Sequence, residues 1–166
     1  YDGTDITKLN AKELKPIRAR MQMIFHNVEI AIKCKADGIH VGQSDMEAGN
    51  VRALVGEDMI IGVSTKNVEQ ALAAQKAGAD YLGVGAMFHT GTKLDAEEVS
   101  REAAQEITAA VDIPVVAIGG INKKNILELK GTGVDGVALV SAIFGAENIE
   151  EECKTLKALS AEMVQA

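Results

Sequence analysis

Residues 77–85 read Ala77-Gly-Ala-Asp-Tyr-Leu-Gly-Val-Gly85, a small cluster around an aspartate followed by an apolar run that ends on glycine. The same arrangement occurs at Lys35-Ala-Asp-Gly-Ile-His-Val-Gly-Gln43 and at Gly131-Thr-Gly-Val-Asp-Gly-Val-Ala-Leu-Val-Ser141. Two further runs, Met59-Ile-Ile-Gly-Val-Ser64 and Pro114-Val-Val-Ala-Ile-Gly-Gly120, are short, rich in β-branched residues and free of polar alternation. Such runs suit strands covered on both faces, as in a parallel sheet. Between them lie helix candidates at Asn67 to Ala77, Ala96 to Val111 and Lys123 to Gly131. In the first, Val68, Leu72 and Ala71 or Ala74 recur at helical spacing, while Glu69, Gln70, Gln75 and Lys76 take the other side. Strand and helix therefore alternate through most of the chain. That is the pattern of an α/β protein, either an open doubly wound sheet or a (β/α)8 barrel.

The unusual residues fall at the ends of these runs: Gly42-Gln-Ser-Asp45, Ser64-Thr65, Thr90-Gly-Thr-Lys93, Gly119-Gly120 and Ser141-Ala142. In a barrel the C-terminal ends of the strands form one functional face, so five consecutive tips would converge on one site. Gly83-Val-Gly85 is no dinucleotide fingerprint, because no GxGxxG continues into a helix.

Composition narrows the classes. A chain of 166 residues is the size of one domain, and 47% hydrophobic with 25% charged residues is the balance of a soluble globular protein. A single domain over residues 1–166 is expected. No apolar run approaches the ~20 residues that span a bilayer. Tyr1-Asp-Gly-Thr-Asp5 lacks the basic and apolar regions of a secretion signal, so no membrane and a cytoplasmic location are expected. Cys34 and Cys153, far apart and without a CxxC, read as reduced thiols. A net charge of -7 argues against nucleic acid as a partner but leaves room for a small anionic ligand at a local site.

Taken together, Ala36-Asp-Gly-Ile-His-Val-Gly-Gln-Ser-Asp45, Ile60-Ile-Gly-Val-Ser64, Ala79 to Phe88 with Thr90-Gly-Thr-Lys93, Ile113 to Ile121, and Asp135 to Ile143 resemble the thiamine phosphate synthase family. The resemblance runs from about Asn27 to Ile149 in register. It implies a (β/α)8 TIM barrel in which these segments are the fourth to eighth strands. It also implies an Mg2+-dependent transferase that joins a pyrimidine diphosphate to a thiazole phosphate and releases pyrophosphate through a carbocation-like pyrimidine intermediate.

By that resemblance, Thr90 and Thr92 donate hydroxyls to the thiazole phosphate and Lys93 pairs with the leaving pyrophosphate. Gly119, Gly120 and the backbone near Val140 and Ser141 form a second cradle for the same phosphate, as bare amides can do without a basic side chain. Ser64 is a donor to pyrophosphate, and Asp45 is one of two magnesium-binding aspartates. Each also has a plainer reading: a solvated lysine at 93, a tight turn at 119–120, an N-cap for the helix from Asn67 at Ser64, and the cap of a helix starting near Met46 at Asp45. His40, inside a buried run, reads as a core histidine with its hydrogen bonds met.

The chain also departs from the family pattern. The second strand of the family ends in a Q-x-R-x-K-like motif; this sequence starts at Tyr1, at that motif's edge, without its arginine and lysine, so the barrel is expected to be N-terminally incomplete. The third strand of the family ends in Asn-Asp, whereas Phe25 and His26 stand there, and imidazole suits softer metals than magnesium. Two other readings therefore stay open. One is a non-catalytic or degenerate thiazole-phosphate-binding barrel. The other is a thiazole tautomerase-like isomerase, whose histidine after the fifth strand is replaced here by Lys66. Exposed edge strands of an incomplete barrel are a hazard that a homodimer or an added strand can remove.

Overall fold

A computed structural model of the chain describes residues 24–25, 27–90 and 97–165. Six parallel strands lie in the sheet in chain order: β1 (Ile24–Phe25), β2 (Gly38–Val41), β3 (Ile60–Thr65), β4 (Tyr81–Val84), β5 (Val115–Ile118) and β6 (Gly136–Ala138). A doubly wound sheet reverses its strand order at a switch point, and none of these six strands does so. With right-handed crossovers and no reversal, the connecting helices all fall on one face. This is the sequential strand order of a β/α barrel and not the order of a doubly wound sheet.

The helices are α1 (Val28–Cys34), α2 (Ala48–Val55), α3 (Val68–Lys76), α4 (Arg101–Ala110), α5 (Ser141–Phe144) and α6 (Ile149–Val164), with a 3₁₀ turn at Ile126–Leu129. α3 matches the sequence expectation to within a residue at each end. Asn67 caps it by accepting from the Gln70 amide at 2.9 Å. α4 starts at Arg101 and not at Ala96. Ser100 caps it, accepting from the Ala103 amide at 3.1 Å, and the Val99 amide donates to the Ala86 carbonyl at 2.7 Å, which holds the preceding residues against the end of β4. The helix expected from Lys123 to Gly131 shrinks to the 3₁₀ turn. Asn125 Oδ1 accepts from the Asn122 amide and Asn122 Oδ1 from the Lys124 amide, and such side-chain bonds compete with regular helix.

Alternation along each strand separates two faces. Ile39, Val41, Ile61, Val63, Leu82, Val84, Val115 and Ala117 are buried against Ala31, Val51, Ala71, Ala74, Ala104 and Ile107 of the helices. The opposite face carries His40, Gly62, Ser64, Tyr81 and Gly83, the half of each run that an apolar count overlooks.

The recurring aspartates have a structural purpose at the N-terminal ends of the strands. Asp80 docks on Ile61 at two points, its amide donating to the Ile61 carbonyl at 2.7 Å and its carboxylate accepting from the Ile61 amide at 2.7 Å. Asp135 repeats this on Val115, both bonds being 2.8 Å. Arg52 adds bonds to the carbonyls of Gly56, Met59 and Gly78 and an ion pair with Asp80 at 2.6 Å. Cys34 and Cys153 are free thiols.

Candidate active site

The C-terminal ends of the strands present those residues singled out in the sequence that fall among the described ones. After β2 the chain turns at Gly42–Asp45, where the Asp45 amide donates to the Gly42 carbonyl at 3.1 Å and the Asp45 carboxylate accepts from the Gly42 amide at 2.7 Å. Asp45 is exposed and does not cap a helix; α2 begins at Ala48 with Glu47 before it, so the capping alternative falls. Gln43 reaches from this turn to donate to the Ser64 carbonyl at 2.6 Å, tying the tips of β2 and β3 together.

Ser64 points from β3 onto the inner face. Its hydroxyl lies 2.9 Å from His40 Nε2, and the cap of α3 is Asn67, so the serine is not the N-cap either. His40, expected as a core histidine, is half-buried, with its Nδ1 2.9 Å from the Tyr81 hydroxyl. Burial pushes the Tyr81 phenol above its ordinary value.

Beyond β4 the chain is pinned to the neighbouring tip: the amides of Met87 and Phe88 donate to the carbonyls of Ile118 and Gly119. Gly119 and Gly120 both take positive φ, 88° and 68°. A Cβ on Gly120 would come within 2.5 Å of the Phe88 and His89 carbonyl oxygens, so only glycine permits this approach. The Gly120 carbonyl accepts from Asn122 and Asn125 side chains, which fixes the orientation of the turn. Among the described residues, nothing accepts from the amides of Gly120 or Ile121. Val140 and Ser141 stand two and three residues past Ala138, the partner of Ile118 in the ladder, and Ser141 opens α5. The two glycines and the start of α5 thus sit on adjacent strand ends. Thr90 lies just past β4, whereas Thr92 and Lys93 fall outside the described residues. Lys66, at the tautomerase-type position, is paired with Glu97 at 3.0 Å beside a cleft of about 430 Å3 that Gln43, Gln70 and Ser100 also line.

A sequence model described as thiamine monophosphate synthase matches residues 7–143. The chain belongs to the thiamine monophosphate synthase family. It is 49% identical to the thiamine-phosphate synthase of Clostridium tetani over 88% of this chain and 71% of that one. With the thiamine-phosphate synthase of Clostridium botulinum the figures are 50%, 91% and 71%. Among solved structures, the thiamine phosphate pyrophosphorylase from Pyrococcus furiosus superposes with a TM-score of 0.79 at 36% identity, covering 96% of this chain and 81% of that one. Membership in the thiamine monophosphate synthase family carries the function of a thiamine phosphate synthase and the class of transferase. The acidic chain contains no helix, among the described residues, long and apolar enough to cross a membrane.

What sequence reasoning missed at this site is the inner-face contact of Tyr81 with His40, and the tie from Gln43. The only trace of the first in the sequence is Gly62, a glycine inside an otherwise β-branched strand, which often marks close approach of another group.

Proposed function

We propose that this protein joins a hydroxymethylpyrimidine diphosphate to a thiazole phosphate with Mg2+, and that the tips described above divide the two substrates between them. The carbon–oxygen bond to the diphosphate breaks, the electron pair leaves on pyrophosphate, and the thiazole phosphate attacks the cationic pyrimidine carbon. Ser64 and Lys93 meet the charge that grows on the leaving pyrophosphate. Thr90, Thr92, Gly119, Gly120 and the backbone at Val140 and Ser141 hold the thiazole phosphate.

One observation carries this reading. Asp45, Ser64, Thr90, Gly120 and Ser141 come at or just beyond the C-terminal ends of β2 to β6, five neighbouring strands of one parallel sheet. Chemistry in this architecture gathers at that edge.

No group of three His, Cys, Asp or Glu side chains poised for a metal occurs among the described residues. Mg2+ is, however, commonly held by one or two carboxylates plus substrate phosphates. Asp45, exposed and with one oxygen committed to the Gly42 amide, fits that part. Phe25 offers no ligand at the end of β1, and His26 lies outside the described residues. When bound, the ion would neutralise diphosphate charge; Asp45 would hold it from the protein side.

We further propose a cytoplasmic enzyme in which residues 1–166 belong to one barrel domain, and which associates as a homodimer. The test is direct: the purified protein mixed with both substrates and magnesium is expected to yield thiamine phosphate and pyrophosphate in equal amounts. Formation of neither overturns the reading, and calorimetry with thiazole phosphate alone then shows whether the phosphate cradle stands without synthesis.

A further inference from the structure

The inner wall of the sheet joins three side chains from three strands. His40 on β2 and Tyr81 on β4 are separated by a whole strand, roughly 10 Å at ordinary spacing. They meet because the residue between them in register is Gly62, paired with His40 on one side and with Tyr81 on the other. A Cβ on Gly62 would overlap both rings. On Gly83, the partner of Ser64, a Cβ would come within 3.1 Å of His40 Cε1. Two glycines thus clear a seat for one imidazole. From that seat Nδ1 faces the Tyr81 hydroxyl and Nε2 the Ser64 hydroxyl, each at 2.9 Å.

A neutral imidazole carries one N–H and one bare nitrogen, and a serine hydroxyl has a single proton. If Ser64 gives that proton to His40, only lone pairs face the ligand, which repel an anionic oxygen. If Nε2 carries the hydrogen and donates to Ser64 Oγ, the serine proton is free to point at the ligand. Nδ1 is then the acceptor and the Tyr81 phenol the donor, a part that a buried phenol held in its neutral form can play.

We infer that His40 is a positioning residue that presents Nε2–H to Ser64 Oγ, with the Tyr81 hydroxyl fixing this tautomer, so that the Ser64 proton is aimed at a diphosphate oxygen. The inference rests on the reading of Ser64 as a donor to pyrophosphate and adds to it the device that orients the proton.

Two measurements test it. Nitrogen NMR of histidine-labelled wild-type protein with magnesium and inorganic pyrophosphate reads the tautomer; the protein has 3 histidines, and His40 is assigned by the loss of its signals in His40→Gln. A protonated Nε2 with an acceptor Nδ1 is expected, and Tyr81→Phe should shift the Nδ1 signal. A protonated Nδ1, alone or together with Nε2, overturns the inference. The second measurement is a double-mutant cycle on product formation. Glutamine places an N–H near the Nε2 position, whereas asparagine reaches only that of Nδ1. His40→Asn is therefore expected to lower kcat about tenfold, the scale of one hydrogen bond. KM for thiazole phosphate should stay unchanged, and His40→Gln should restore most of the rate. In a Ser64→Ala background His40→Asn should cost nothing more. Independent, additive losses would make His40 a structural residue and overturn the inference. A wild type that forms no thiamine phosphate defeats the synthase reading alone, and the NMR result still decides the tautomer.

Discussion

The two ends of the strands are built differently. At the N-terminal ends the aspartates and Arg52 are tied in: Asp80 and Asp135 close two-point docks onto Ile61 and Val115, and Arg52 gathers three carbonyls and a carboxylate. At the C-terminal ends the glycine turn at 119–120 leaves amides with no described acceptor, and Asp45 stands in the open. Both ends use hydrogen bonds to hold the fold, but only the second leaves backbone donors open among the described residues. If the proposed site is right, mutations at the two ends should be distinguishable by which measurement they move.

The largest effect is expected at the proposed pyrophosphate contact. Lys93→Ala should lower kcat by roughly 10² or more, as loss of a well-placed electrostatic donor does, while thiazole phosphate affinity and the denaturation midpoint barely change. An unchanged kcat in an active enzyme would return Lys93 to the solvated surface and blur the division between the ends. At the closed end the signs reverse. Arg52→Ala strands the Met59 and Gly78 carbonyls and leaves Asp80 with the Ile61 amide but no cation, at a cost of about 2 kcal/mol. The Arg52 side chain is 13% exposed but that of Asp80 is 47%, so water softens the loss. Urea denaturation should register this change with kcat untouched; a fall in kcat without a loss of stability would contradict it.

A smaller change tests the wall between the two ends. Thr65 is 1% exposed, and its hydroxyl has no partner among the described residues. Thr65→Val keeps the shape and removes the orphan, so it should raise stability by about 1 kcal/mol, visible as a higher Tm. The smallest effect concerns pH. Burial raises the Tyr81 phenol above its ordinary value near ~10, so the folded state holds this proton more tightly than the unfolded chain does. The resulting stability is fully present below ~10 and is lost as pH rises through the folded value. Phenolate absorbance should show one late-titrating tyrosine that Tyr81→Phe removes; its titration at the ordinary value would show that the ring is wetter than described.

The strands and the positions of their tips were legible because both are written locally. Runs of β-branched residues located β2 to β6 to within a few residues, and the polar or glycine tips marked their ends. Asn67 signalled α3 through its own side chain. Where several local signals compete, the reading slipped: Asn122 and Asn125 look like helix-start residues but bond the backbone into a tighter turn, and the bond from Val99 to Ala86, which delays α4, is a contact across the strand end. The repeated aspartate was plain as a pattern and opaque as a purpose, since its docking partner lies on the preceding strand. The seat of His40 needed the register of three strands at once. The sequence shows the glycine at 62 but not that two rings close over it.

That gap ties residues 41 positions apart into a single volume. A side chain at position 62 fits only if the ring at 40 or 81 gives up space, and a smaller ring at 81 leaves a hole that only a larger residue at 62 would fill. The three positions therefore trade size among themselves. Among natural variants of this chain, a bulkier residue at 62 should arrive together with a smaller one at 40 or 81, so that three distant codons are inherited as one choice.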